Sequence, residues 1–179
     1  GEGAYASVDV KDLALDARAL QLALGQEGWA GMRLGFSGWP RHLTAGQTPY
    51  SGVGTPSLTL PSGFATSSTH SMPLSSTLKD VELGYQRKQM DFSADVQATH
   101  RWSYRIATRH ETKEGTSVTS GSFYNSAAQL VMPVDQVHDQ LEVAGAFSGK
   151  QWQFSMAYQA SKFRNAFGSL AWQNPFSPV

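Results

Sequence analysis

The stretch Met90-Asp91-Phe92-Ser93-Ala94-Asp95-Val96-Gln97-Ala98 alternates apolar and polar side chains at every step. In an extended chain, Met90, Phe92, Ala94, Val96 and Ala98 fall on one face and Asp91, Ser93, Asp95 and Gln97 on the other. Wound into a helix, the same residues would scatter around the cylinder. Outward from this stretch the pattern repeats. Ala30, Met32, Leu34 and Phe36 oppose Gly31, Arg33, Gly35 and Ser37, and Val81, Leu83 and Tyr85 oppose Asp80, Glu82, Gly84 and Gln86. Trp102, Tyr104 and Ile106 oppose Ser103, Arg105 and Ala107, while Leu141 and Val143 oppose Gln140 and Glu142. Trp152, Phe154, Met156 and Tyr158 oppose Gln153, Ser155 and Ala157. Only residues 12–24 could pass for a short helix, and their second half reads as a strand with Leu20, Leu22 and Leu24 on one face.

The alternating runs pair into similar hairpins, Leu20–Phe36, Val81–Val96 and Leu141–Tyr158. Their turns are expected at Gln26-Glu27-Gly28, Arg87-Lys88-Gln89 and Ser148-Gly149-Lys150, with a fourth at Lys113-Glu114-Gly115-Thr116. Strands are expected at 3–11, 18–25, 29–37, 78–87, 90–99, 102–112, 117–132, 137–147 and 151–162. The fold class is therefore all-β, an antiparallel up-and-down meander. The main break is 38–77, where 25 of 40 residues are Gly, Pro, Ser or Thr and the one charge is Arg41. A structureless loop of that length is unusual in a compact soluble domain but ordinary in an outer-membrane barrel with short turns at one end and long loops at the other. The four short turns fall at one end, with 38–77 and Asn125–Gln136 at the other. Thr99-His100-Arg101 is a short turn at the long-loop end.

Composition narrows the class further. The chain has 179 residues, no cysteine, 14 basic and 14 acidic residues, and only 16% charged residues, against about 25% in ordinary soluble domains. Zero formal charge argues against a nucleic-acid binder, which needs clustered cations to displace counterions. The absence of cysteine excludes disulfides, thiolate metal sites, cysteine nucleophiles and covalent haem attachment. Small polar residues (21 Ser, 12 Thr, 17 Gly) fill the gap, as in envelope β-proteins. The start at Gly1 and the loop-like end at Pro175-Phe176-Ser177-Pro178-Val179 read as a segment of a longer chain.

Strands of this kind bury an apolar face either against a second sheet or in lipid. Two features favour lipid. Trp29, Met90, Trp102 and Trp152 stand just after turns, where an interfacial girdle would lie. The opposite faces carry mid-strand charges, Arg33, Glu82, Asp95, Arg105 and Glu142, interleaved with Gly and Ala, as a polar lumen would.

Three motifs carry a family resemblance. They are Leu58-Thr59-Leu60-Pro61-Ser62-Gly63 after Thr48-Pro49-Tyr50; Pro133-Val134-Asp135 with Asp139-Gln140-Leu141-Glu142; and Phe163-Arg164-Asn165 with Ser169-Leu170-Ala171-Trp172-Gln173-Asn174-Pro175-Phe176. In order and spacing, from about residue 3 to 178, the chain resembles the MtrB/PioB family of decahaem-associated outer-membrane proteins. The resemblance implies that residues 1–179 are a segment of a large transmembrane β-barrel in the bacterial outer membrane, with the long loop at 38–77. The complete barrel would sheathe a periplasmic multihaem (decahaem) c-type cytochrome, with an extracellular multihaem cytochrome as a further partner, for electron transfer across the membrane. Haem would reside on the cytochrome and none on this chain. The lumen face would meet that partner through Arg33, Glu82, Asp95, Arg105, Arg109 and Glu142. Members are several times longer than this chain, which supplies too few strands to close such a barrel.

Catalytic patterns are weak. His42, His70, His100, His110 and His138 form no metal-ligand spacing. No Ser sits in a Gly-x-Ser-x-Gly elbow, and Ser120-Gly121-Ser122 reads as a strand or bulge. Asp80/Glu82 and Asp91/Asp95 alternate on polar faces, and lumen charges need no cleft to explain them. Gly52-Val53-Gly54-Thr55 lacks the ending of a phosphate loop. No enzyme is expected. A soluble extracellular β-sandwich binding module and a small membrane-barrel hydrolase acting on lipid are the alternatives.

Overall fold

The computed structural model describes residues 3–12, 14–68, 70–123 and 126–176. In chain order it contains β1 Ala4–Lys11, β2 Arg18–Gln26, β3 Ala30–Thr48, β4 Ser57–Leu58, the single helical turn α1 Leu74–Thr77, β5 Lys79–Gln97, β6 Trp102–Phe123, β7 Ser126–Ser148, β8 Gln153–Asn165 and β9 Ala171–Trp172. Seven strands form one sheet in the order β1-β2-β3-β5-β6-β7-β8, so each neighbours the next long strand in sequence. This is the expected antiparallel meander. Its register is fixed in the first hairpins by pairs such as Val8↔Leu22 and Leu22↔Leu34. β4 and β9 form a separate parallel pair.

Several strands are longer than the alternation suggests. β5, β6 and β7 have 19, 22 and 23 residues, against the 9–11 that cross a bilayer. Residues 87–89 and 113–116 are therefore not turns but strand interior. Arg87 lies mid-strand because its guanidinium pairs with Glu111 and stacks over Trp39 at 5.2 Å. Gly115, with φ +145°, serves a close backbone approach: a Cβ there would come 2.3 Å from the Gly84 carbonyl oxygen. A glycine inside a strand marks such an approach as readily as a turn. β3 likewise runs to Thr48, so the segment without a long strand begins at 49 rather than 38. Strand β7 occupies the break expected at 125–136 from Ser126 onward; residues 124 and 125 lie outside the described residues. Among the described residues the short connections between long strands are 27–29, 98–101 and 149–152, and all three lie at one end of the strands. Thr99-His100-Arg101 belongs to that short-turn end. Trp29, Trp102 and Trp152 border these turns, whereas Met90 sits inside β5.

The chain divides into two compact units. Unit 1 comprises the described residues of Gly1–Pro40, Arg87–Thr112 and Gln136–Arg164. Its apolar face is open: Val8 is 67% exposed, Phe154 57%, Met156 68% and Trp152 78%. A sandwich would have sealed these residues and Trp29 between two sheets, so the sandwich expectation fails.

Unit 2 comprises the described residues of Arg41–Gln86, Lys113–Asp135 and Asn165–Val179. It holds a small core of Tyr50, Leu58 and Leu130, with Leu60 and Leu170 packed against it. The Tyr50 hydroxyl donates to the Gln173 carbonyl at 2.9 Å, and the Gln173 side chain accepts from the Leu60 amide at 2.6 Å. Ser51 and Thr59 bridge antiparallel, and Phe123 meets the edges of Trp172 and Phe176. Leu83 is buried here, 7% exposed. On the continuous strand β5 it is an odd-numbered residue, like Asp91 and Asp95, so its alternation is out of step with that of Phe92.

Candidate lumen face

The polar face of unit 1 is built by register. Across β2 and β3, Leu20↔Phe36, Leu22↔Leu34 and Leu24↔Met32 share one side, which leaves Gln21↔Gly35 and Ala23↔Arg33 on the other. A Cβ added at Gly35 would lie 3.6 Å from the Asp91 carboxylate, and one at Gly31 would lie 3.1 Å from that of Asp95 and 3.1 Å from the Tyr5 hydroxyl. Asp91 and Asp95 therefore stand over glycines, on the same side as Arg33. The glycines leave room for carboxylates to lie flat on the neighbouring strand.

From there the charges interlock. Arg109 Nε donates to Asp91 Oδ1 at 2.7 Å, and Gln89 donates to Asp91 Oδ2 at 2.7 Å. Arg105 Nε lies 3.9 Å from Glu142 Oε1, and Gln159 donates to Glu142 Oε2 at 2.9 Å. Arg33, Arg105, Arg109, Asp91, Gln140 and Glu142 line one groove of about 660 Å³. Four of the six residues expected to face a partner (Arg33, Arg105, Arg109 and Glu142) thus meet in it. Asp95 lies on the same face beside Gly31. Glu82 belongs to unit 2, where its carbonyl accepts from the Thr116 hydroxyl at 3.0 Å; the structure does not bring its side chain to the others. Arg33 has no ion pair among the described residues.

The expected set omitted Asp91, Arg87, Glu111 and Gln159. Asp91 and Glu111 could have been found by asking which carboxylates share the face of Arg109 and Arg87. That question needs the register between strands, which a single sequence does not fix when a strand is misread as a turn.

The arrangement is a matched field of cations and carboxylates rather than a reaction centre. His138 Nε2 and Ser161 Oγ are 2.8 Å apart, but no carboxylate orients the ring among the described residues; its other neighbours are Gln140 and Phe163. A hydrolytic triad needs that third group. Among the described residues no group of three His, Asp or Glu side chains converges as a metal site.

A family model described as the outer membrane beta-barrel porin MtrB/PioB matches residues 1–179. The outer membrane protein MtrB of Shewanella baltica (strain OS185) is 31% identical over 183 residues, covering 100% of this chain and 26% of that protein. The chain therefore spans about a quarter of the length of this curated relative.

Proposed function

Because this chain belongs to the MtrB/PioB family of outer-membrane β-barrel porins, we propose that its polar face lines the lumen of the complete barrel and there meets a multihaem c-type cytochrome. The protein is an outer-membrane porin-family component, not an enzyme. Its part in electron transfer is physical. The apolar face contacts lipid, and the polar face holds the cytochrome away from it, so that haems carried by the cytochrome form a path across the insulating layer. An extracellular multihaem cytochrome would continue that path.

The observation that carries this reading is the polar face itself. Arg87, Arg105 and Arg109 are each met by a carboxylate, in mid-strand, on the face opposite Leu34, Phe92, Ile106 and Phe154. A water-filled pore would need no such matching, whereas a protein surface docked in the lumen is held in register by interleaved charges. Arg33, Asp95, Arg105, Arg109 and Glu142, which share this face, are the residues proposed to face it; Glu82, in unit 2 and in step with Phe92 on β5, is not among them. Arg33 has its charge free for a carboxylate of the partner.

A photo-crosslinking amino acid placed at Ala107, which lines the groove, tests this in the full-length barrel. It should capture a haem-staining cytochrome, and the same probe at Val143 on the apolar face should not. Equal capture from both positions, or none from Ala107 with cytochrome bound, contradicts the reading.

A further inference from the structure

The apolar face of unit 1 does not end the same way at its two edges. At the short-turn edge it ends in aromatic rings: Trp102 packs against Phe147 at 5.0 Å and stacks on Tyr104 at 6.1 Å, with Trp29 and Trp152 beside the neighbouring turns. At the other edge the aliphatic run of five strands stops at a charged side chain or histidine: Arg18 on β2, Lys88 on β5, His110 on β6, Asp139 on β7, and Lys162 with Arg164 on β8, while that of β3 runs into Gly38 and Pro40 and that of β1 leads to Asp12.

Contacts fix these residues on the apolar side. Arg18 pairs across the strands with Gly38, its guanidinium lies 5.9 Å from the centre of the Phe36 ring, and a Cβ at Gly38 would meet Lys88 Cγ at 4.0 Å. Two cations thus flank a bare glycine. Farther along, His110 Nδ1 and Asp139 Oδ1 are 2.5 Å apart, and Arg164 Nη2 lies 3.3 Å from Asp139 Oδ2. Lys162 shares the face of Arg164 by strand alternation.

On the polar face Arg87, Arg105 and Arg109 are matched by carboxylates and Arg33 alone among the arginines named there is not. On this edge Asp139 is the carboxylate that meets cationic side chains, His110 and Arg164. Asp12 and Asp16 lie in the β1–β2 connection beside Arg18 without an ion pair among the described residues. Lys88, Lys162 and Arg18 have no ion pair among the described residues. Unpaired cations at the rim of an apolar face are placed to receive an anion from the membrane side, and phosphate is the anion that arginine and lysine bind most directly there.

We infer that Arg18, Lys88, His110, Lys162 and Arg164 form a belt that binds the phosphate groups of phosphorylated lipid headgroups in the leaflet at the strand ends away from the short turns. The aromatic rings mark the opposite interface. The belt anchors the barrel at a set depth and distinguishes its two ends. It does not depend on what occupies the lumen.

The test uses the full-length barrel in non-ionic detergent, titrated with lipid A, a diphosphorylated glycolipid, and with lipid A stripped of both phosphates. Bound lipid is read by native mass spectrometry. The phosphorylated lipid should be retained and the stripped one lost. Joint replacement R18Q/K88Q/K162Q/R164Q should weaken retention by about fivefold for each cation removed, whereas K150Q in the 149–152 turn at the opposite end should leave it unchanged. Inorganic phosphate in excess should not displace the lipid. Equal retention of both lipids by the unaltered barrel overturns the inference, and so does unchanged retention in the fourfold variant. Full displacement by inorganic phosphate would show a free-anion site instead. The comparison of the two lipids on the unaltered barrel decides the matter even if the fourfold variant does not insert.

Discussion

Neighbouring residues on one strand of unit 1 meet different surroundings, and substitutions should report it. Leu34, Phe92, Ile106 and Phe154 lie on the apolar face, which we propose meets lipid, where an arginine near the bilayer midplane costs about 2–4 kcal/mol. Arginine at Ser93 or Ser155, on the lumen side, should cost much less. Folding titrations of the full-length barrel into vesicles check this, and equal tolerance at both sets contradicts the assignment. Leu83 follows another rule. It is buried within unit 2, so Leu83→Ala should cost about 2–5 kcal/mol as a core truncation, and near-neutrality would contradict its burial. Tyr50, outside the apolar band, adds a pH signature. Burial pushes its phenol up to about 12, so the neutral form belongs to the folded state. Its contribution is complete below the unfolded phenol's value near pH 10 and is lost as pH rises from there through 12. Unfolding curves of the full-length protein between these limits should fall more steeply than those of Tyr50→Phe; parallel curves would count against the buried phenol.

At the scale of elements, glycines decide how closely β5 and β6 approach. Gly115 has φ +145° and no room for a Cβ against Gly84 and Tyr85, so Gly115→Ala should destabilise by about 1–3 kcal/mol. Thermal unfolding should show a clear loss, whereas Gly28→Ala in an open turn, with nothing within 4 Å, should show only the smaller strain of its positive φ. The same glycine explains why strand ends were hard to read. Lys113-Glu114-Gly115-Thr116 has turn composition, but its glycine answers to a backbone on the next strand, which local pattern does not reveal. Arg87-Lys88-Gln89 misleads in the same way: consecutive charges read as a turn, yet Arg87 lies on the polar face with Glu111 and Lys88 at the rim of the apolar one. By contrast, Ala30–Phe36 and Met90–Val96 were legible because apolar and polar residues alternate without interruption. The motifs at Thr48–Gly63 and Ser169–Phe176 contribute Tyr50 and Leu58 to the small core of unit 2 and supply the β4–β9 pair; their place in this chain is structural rather than chemical. Arg33, Arg105, Arg109 and Glu142 were visible as mid-strand charges, while Asp91 and Glu111 became their counterparts only once register was known.

At the scale of the whole molecule, the account holds that one face of the unit 1 sheet meets lipid and the other an enclosed lumen. The absence of cysteine makes each thiol introduced into this segment unique within it. Spin labels at Leu34, Phe92, Ile106 and Phe154, and at Ser93, Ala107 and Ser155, can therefore be compared in the full-length barrel reconstituted in bilayers. Collision with dissolved oxygen, which concentrates in hydrocarbon, and with a water-soluble nickel chelate reports the surroundings of each label. The account predicts high oxygen and low nickel accessibility at the first four positions. It predicts the reverse at the other three when the lumen is empty, with nickel accessibility falling there once the cytochrome is bound. Labels at Phe92 and Ser93 with the same accessibility, or Phe92 open to nickel and Ser93 to oxygen, would contradict it.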